Sequence, residues 1–189
     1  MIATSHGVGE LILAAVNEGA NHIIIGLGGS ASNDGGAGLL QALGVRLLDI
    51  SGNQLNLGGG SLSSLSSIDP SAIDSRLQGV SFEVACDVDN PLLGPQGASV
   101  IFASQKGADS EMITQLDANL THYSDILTST IKKDVSEVPG SGAAGGIGSA
   151  FLAFLNAELK SGINIVLDAM DFDHQIKGAD LVVTGEGRF

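Results

Sequence analysis

Residues 22–38 read His-Ile-Ile-Ile-Gly-Leu-Gly-Gly-Ser-Ala-Ser-Asn-Asp-Gly-Gly-Ala-Gly, and this stretch decides the fold. His22–Leu27 is a short run rich in β-branched residues without alternation, which predicts a strand buried on both faces. Gly28–Gly38 follows as a loop that turns into a helix of about Gly36–Leu43, and Gly44 stops that helix. Ahead of the strand, Thr4 and Ser5 stand where a helix cap belongs. Val8, Leu11, Ile12, Ala15 and Val16 then keep near-helical spacing until Gly19. Helix, strand, glycine loop and helix in that order predict an α/β fold with a mainly parallel sheet flanked by helices.

The same reading extends outward. Val45–Asp49 is a second strand, residues 51–79 are Ser-, Gly- and Asp-rich loops and turns, and Val80–Val88 is a third strand. Ala98–Ala103 forms a short helix. Asp109 or Ser110 caps a long one with Ile113, Leu116, Leu120, Tyr123, Leu127 and Ile131 on its apolar face. After Pro139, Gly-Ser-Gly-Ala-Ala-Gly-Gly-Ile-Gly leads into a helix running to about Leu159. Ile163–Gly178 reads as helix broken near Asp171–Asp173, and Asp180–Thr184 (DLVVT) as another buried strand. The 189 residues make one α/β domain. The chain opens directly at a helix cap and stops in a loop just after a strand, so the expectation is a fragment of a longer protein.

Composition narrows the function. The 43% of apolar residues suffices for a core. A net charge of −13 with only 8 Lys and Arg leaves no basic face for nucleic acid or an anionic membrane. The single Cys86 permits no internal disulfide and fits a reducing cytoplasm. The 27 glycines cluster at 26–38, 58–60, 140–148 and 185–187, beside apolar segments, where backbone amides can gather around an anion.

Five places carry candidate chemistry. In the first, Gly26–Gly38, successive backbone amides and the positive end of the helix suit phosphate or carboxylate, Ser30, Ser32 and Asn33 add side-chain donors, and Asp34 a carboxylate. This loop misses the G-x-G-x-x-G pattern at Ala31 and the Walker pattern altogether, because the first lysine in the chain is Lys106. In the second, Asp87 and Asp89 stand two apart at a strand end, with Asn90 and Pro91 turning the chain. Paired carboxylates there suit Mg²⁺ or acceptance of a hydroxyl proton. Lys106, the only Lys or Arg between Arg76 and Lys132, precedes a helix start. The Pro139–Gly148 segment is either an anion cradle or a close packing surface. Last, Glu186 can reach a metal or a hydroxyl, and Arg188 can fork onto a carboxylate or phosphate.

Taken in order, TSHGVGE (4–10), GLGGSASNDGGAG (26–38), ACDVDNPLLGPQGAS (85–99), SQKGAD (104–109), PGSGAAGGIGSAF (139–151) and ADLVVTGEGR (179–188) resemble the bacterial glycerate kinases. The resemblance implies two α/β domains, one flavodoxin-like and inserted into the other, with this chain as the inserted piece. It implies transfer of the ATP γ-phosphoryl group to a hydroxyl of D-glycerate with Mg²⁺, giving 2-phosphoglycerate. On that basis Asp34, Asp87 and Lys106 are expected to be catalytic. Gly28, Gly29, Ser30, Asn33, Asn90 and Arg188 are expected to bind substrate or nucleotide, and Asp89 and Glu186 the metal. Two other readings stand beside it. One is an NAD-binding oxidoreductase domain, for which Asp49 lies 21 residues beyond Gly28 to meet the ribose. The other is a folded module without catalysis, since one part of a cleft does not enclose a transition state.

Overall fold

The structure, a computed structural model, describes residues 1–183 and residue 185. Its elements run α1 (His6–Asn17), β1 (His22–Gly26), α2 (Ala37–Ala42), β2 (Arg46–Leu48), β3 (Ser67–Asp69), β4 (Ser81–Ala85), α3 (Ala98–Phe102), α4 (Ser110–Ile131), α5 (Ala143–Phe154), β5 (Glu158–Lys160), α6 (Gly162–Ala169) and α7 (Phe172–Gln175). Short 3₁₀ turns cover Gly59–Ser64, Ser75–Gly79 and Ser104–Lys106. β1, β4 and β5 pair in that order as a parallel sheet, and β2 and β3 form a separate antiparallel pair. The mixed α/β class with a parallel sheet is therefore the one that the sequence predicts. No helix among the described residues is long and apolar enough to cross a membrane.

The core lies on one side of the parallel sheet. Phe82 and Val84 of β4 point into it, Phe82 meeting the ring of Phe151 on α5 at a centroid distance of 6.1 Å. α4 contributes Leu116, Leu120, Tyr123 and Leu127, all buried, a stripe at helical spacing. Each leucine fully withdrawn from water on that stripe stabilises the fold by roughly 1.5–3 kcal/mol. Asp109 starts α4 by accepting a hydrogen bond from the Met112 amide at 2.9 Å.

Four expectations need correction. β1 is not covered on both faces: Ile23 and Ile25 are half-buried, whereas Ile24 is 51% exposed. The reason is visible in register, where Ile24 lies beside Glu83 of β4 and Glu83 beside Glu158 of β5. Lys160 neutralises that row, its Nζ 3.1 Å from Glu83 and 3.3 Å from Glu158. The helix after Gly148 ends at Phe154, and the next residues make β5. Within 51–79, Ser67–Asp69 closes a hairpin onto β2. Asp180–Val183 forms no strand; Leu181 and Val183 are 79% and 87% exposed, with no neighbouring strand among the described residues to pair with.

The glycine-rich segments pack backbone against backbone. Gly146 has φ +92°, and a Cβ there would lie 2.7 Å from both Gly35 Cα and Leu92 Cδ1. Gly29 has φ +62° but nothing within 4 Å of a would-be Cβ. Gly146→Ala should therefore combine left-handed strain with a clash, destabilising the fold by about 2–5 kcal/mol. Gly29→Ala carries the strain alone, about 1 kcal/mol. Urea denaturation of both variants checks this; equal losses would mean that the two loops do not pack as described.

Candidate functional site

β1 and β4 are parallel neighbours, so their carboxyl ends open on the same edge, where α/β sheets bind ligands. The chain leaves β1 through Leu27–Ser30 and β4 through Cys86–Asn90, with the Leu27 amide still bonded to the Ala85 carbonyl at 2.9 Å. Between these exits lies a cleft of about 440 Å³, inside the range of roughly 300–1,000 Å³ usual for small-molecule sites. Its lining joins polar residues, Gly28, Gly29, Ser30, Gln105 and Lys106, to apolar ones, Leu27, Val88, Phe102 and Ala144. The N–H groups of Gly28, Gly29 and Ser30 have no hydrogen-bond partner among the described residues. A larger groove of about 900 Å³ opens at the amino ends of the same strands, but its charged lining is Asp74, Glu83 and Glu158, already paired with Arg76 and Lys160. No Lys or Arg lines that groove whereas Lys106 lines the smaller cleft, which is therefore the candidate for an anion.

Lys106 ends a 3₁₀ turn that follows α3. Its ammonium donates to Ser30 Oγ at 3.0 Å and to the Ser32 carbonyl at 2.7 Å, leaving one of its three donors without a partner among the described residues. Burial lowers its pKa from the ordinary lysine value, and the charge of Asp34 opposes that fall. Lys106 thus both braces the glycine loop and offers a cation to the cleft.

Asp34 does not line the cleft. It is completely buried beneath the loop, and five donors converge on its carboxylate. Oδ2 accepts from the Ser5 amide (2.8 Å), Ser5 Oγ (2.9 Å), Thr4 Oγ1 (3.3 Å) and the Gly38 amide (3.3 Å), and Oδ1 from the Gly36 amide (3.2 Å). Ser5, read as the cap of α1, stands at the cap position but its hydroxyl does not cap that helix. It bridges to α2 instead, accepting from the Leu39 amide at 2.9 Å. Asn33 is also buried, its Nδ2 donating to Ser99 Oγ on α3 at 2.9 Å.

On the neighbouring exit, Asp87 and Asp89 are exposed and flank Val88, the residue that reaches the cleft wall. Asp87 Oδ1 accepts from the Gly162 amide at the start of α6 at 2.8 Å, leaving Oδ2 uncommitted among the described residues. Asn90 closes its own loop, donating to the Gln96 carbonyl at 2.8 Å. Burial pushes the Cys86 thiol's pKa up, and the charges of Asp87 and Asp89 add to the push. Among the described residues no group of three or more His, Cys, Asp or Glu could hold a metal unaided. Asp49, the candidate ribose acid, spends its carboxylate on its own turn, accepting from the amides of Ser51 and Asn53.

Of the residues expected from sequence, Gly28, Gly29, Ser30 and Lys106 come together in one cleft. Asp34 and Asn33 lie under the loop that forms it, and Asp87, Asp89 and Asn90 on the adjoining exit loop. Glu186 and Arg188 lie outside the described residues. Sequence reasoning missed Thr4 and Ser5 as partners of Asp34, because a Thr-Ser pair before a helical pattern reads as a cap. It also missed the apolar lining, since Val88, Phe102 and Ala144 belong to three segments that only the fold brings together.

The model of the glycerate kinase family matches residues 1–189. The chain is 57% identical over 188 residues to a glycerate kinase of Bacillus cereus and 55% identical over 188 residues to glycerate 2-kinase of Escherichia coli K12, covering 100% of this chain in each case. It spans 49% of the length of each of these relatives. A crystal structure of an assigned glycerate kinase 2 from Salmonella typhimurium LT2 superposes with a TM-score of 0.93 at 53% identity, over 99% of this chain and 50% of that one. A family match over the full 189 residues, with relatives this similar along the same span, means that the chain belongs to the glycerate kinase family.

Proposed function

We propose that this protein carries the phosphoryl-transfer cleft of an ATP-dependent glycerate kinase acting in the cytoplasm, with D-glycerate as substrate and 2-phosphoglycerate as product. The observation that carries the reading is the cleft at the carboxyl ends of β1 and β4, lined by Lys106 and by glycine-loop residues whose amides have no partner among the described residues. Phosphoryl transfer asks for little covalent chemistry from a protein. It needs positioning and charge neutralisation, which is what that lining supplies.

The residues divide into roles by their geometry. Gly28, Gly29, Ser30 and Lys106 bind phosphate oxygens. Asp87, exposed and with one carboxylate oxygen uncommitted, orients the substrate hydroxyl and accepts its proton as that oxygen bonds to the γ-phosphorus and the bond to the β,γ-bridging oxygen breaks. Asp34, with five donors already on its carboxylate, is a positioning residue that sets the loop rather than the base. Asn33 and Asn90 support the two exit loops. Mg²⁺ is held in kinases by one or two carboxylates together with substrate phosphates, and Asp89, exposed on the same exit loop, fits that limited requirement. When bound, the metal neutralises charge on the transferring group. Glu186 and Arg188 keep the roles that the family resemblance implies, metal and anion binding. The missing half of the cleft comes from the remainder of a chain about twice this length, and residues 1–189 alone are expected to be inactive.

Replacing the matching half of Escherichia coli glycerate 2-kinase by residues 1–189 gives a hybrid that tests the activity. It should consume ATP only in the presence of D-glycerate and release 2-phosphoglycerate; a folded hybrid without glycerate-dependent ADP release would end the kinase reading. In that hybrid, Asp87→Asn should lower kcat by about 10²–10⁴. Asp34→Asn should mainly lower the melting temperature, because it sets an NH₂ group among donors. Lys106→Ala should raise KM for ATP about tenfold, equivalent to roughly 1.4 kcal/mol.

The depressed pKa of Lys106 gives a separate pH test. Its charge is present below its folded pKa and is lost as pH rises through it, so nucleotide affinity should fall at a lower pH than an ordinary lysine would allow. Lys106→Arg stays charged and should flatten the alkaline limb of the Kd profile. An identical limb in both proteins would remove Lys106 from anion binding.

A further inference from the structure

Ala144 sits on the cleft wall with φ 53° and ψ 37°, a left-handed backbone that costs a residue with a Cβ about 1–2 kcal/mol. Among the described residues three other non-glycine residues share such a φ: Lys132, Asn156 and Asp171. Lys132 is the C-cap of α4, where a left-handed residue is common. Asn and Asp tolerate the conformation through local side-chain hydrogen bonds. Ala144 has neither excuse, and the next two positions, Gly145 and Gly146, hold the same hand with glycine. Glycine at 144 would remove the strain, yet a methyl group stands there, on the cleft beside Leu27, Val88 and Phe102. Strain of this kind persists where the surrounding structure or a ligand uses the side chain.

The lining also offers two kinds of surface. The Gly28–Ser30 amides and Lys106 suit phosphate oxygens, whereas four apolar residues share the same cleft of about 440 Å³. D-glycerate carries oxygen on each of its three carbons and has no face to set against an apolar surface. A nucleoside phosphate has both a flat base and an anionic end.

Resting on the kinase reading above, we infer that this cleft is the nucleotide half of the site, the base packing on Phe102 and the Ala144 methyl and the phosphates meeting Lys106 and the Gly28–Ser30 amides. Glycerate is then left to the Asp87 side of the β4 exit. Ala144 is a specificity-determining residue whose backbone strain is retained for the contact its methyl makes.

Calorimetric titration of the hybrid enzyme with ATP and with ADP tests this without turnover. Phe102→Ala should raise Kd for both nucleotides at least tenfold, and Phe102→Leu, which keeps an apolar side chain, by less. Ala144→Gly should leave the melting temperature unchanged or higher and yet raise Kd about threefold to fivefold. Ala144→Ser, which restores the Cβ, should return Kd to within twofold of the parent. KM for glycerate should stay within twofold throughout. The inference falls if nucleotide Kd is unmoved in Phe102→Ala and Ala144→Gly, if glycerate KM rises in its place, or if the parent hybrid binds no nucleotide. Nucleotide binding of the expected pattern without phosphoglycerate formation would sink the kinase reading and leave the cleft assignment standing.

Discussion

The buried carboxylate of Asp34 is the constraint on which the rest of the site depends. The segment between β1 and α2 has no ladder to satisfy its amides, and buried amides left unpaired are costly. Asp34 takes the amides of Gly36 and Gly38 and reaches across to Thr4 and Ser5 at the start of α1. Ser5 in turn accepts from Leu39, and the Gly35 amide goes to the Gly145 carbonyl. The inner half of the loop is thereby fixed to α1, α2 and α5. Its outer half, Gly28–Ser30, is held through Lys106 and, among the described residues, keeps its amides unspent. Rigid below and unsatisfied above is the condition for preorganised anion binding, since donors then need no rearrangement when charge arrives.

Most of this fold could be read from the sequence where local signals agreed with tertiary packing. α1, α2, α3 and α4 lie within a few residues of their predicted spans because glycine stops and helical spacing agree with the packing, and in α4 the Asp109 cap agrees as well. β3 and β5 were illegible for the opposite reason. Ser-Ile-Asp and Glu-Leu-Lys are three-residue strands with no propensity signal of their own, made only by a neighbour's ladder. DLVVT has the propensity but no partner among the described residues, so the strand signal alone did not yield a strand. The exposed side of β1 was hidden because three successive isoleucines erase alternation; Glu83, one strand away, was the residue that carried the information.

The site divides along the same line. Glycines at a strand exit and a lysine beside a glycine turn have positional meaning in the sequence, and Gly28, Gly29, Ser30 and Lys106 meet in space accordingly. The two aspartates could not be told apart from sequence, since both follow apolar strands. Burial separates them. Asp34 is sealed under five donors, while Asp87 gives one oxygen to the α6 amide end and remains exposed. The apolar lining was beyond reach, because Phe102 ends a short helix and Ala144 lies in a run that reads equally as packing surface.

A chain of net charge −13 is an unpromising receptor for a polyanion, and distance resolves the contradiction. At physiological ionic strength exposed charges are screened beyond about 8 Å, so the distributed carboxylates act weakly on a ligand inside a cleft. What the ligand meets at contact range is a half-buried ammonium and a row of amide dipoles in a medium less polar than water, where each interaction is stronger. The carboxylate nearest that ammonium, Asp34, is turned inward on its own donors and supports the charge of Lys106 instead of competing for it. Acidity elsewhere then works in favour of selectivity. An anion gains little from the surface at large, including the groove at the opposite end of the strands, where Arg76 and Lys160 are spent on Asp74, Glu83 and Glu158, and is held where the local donors face it.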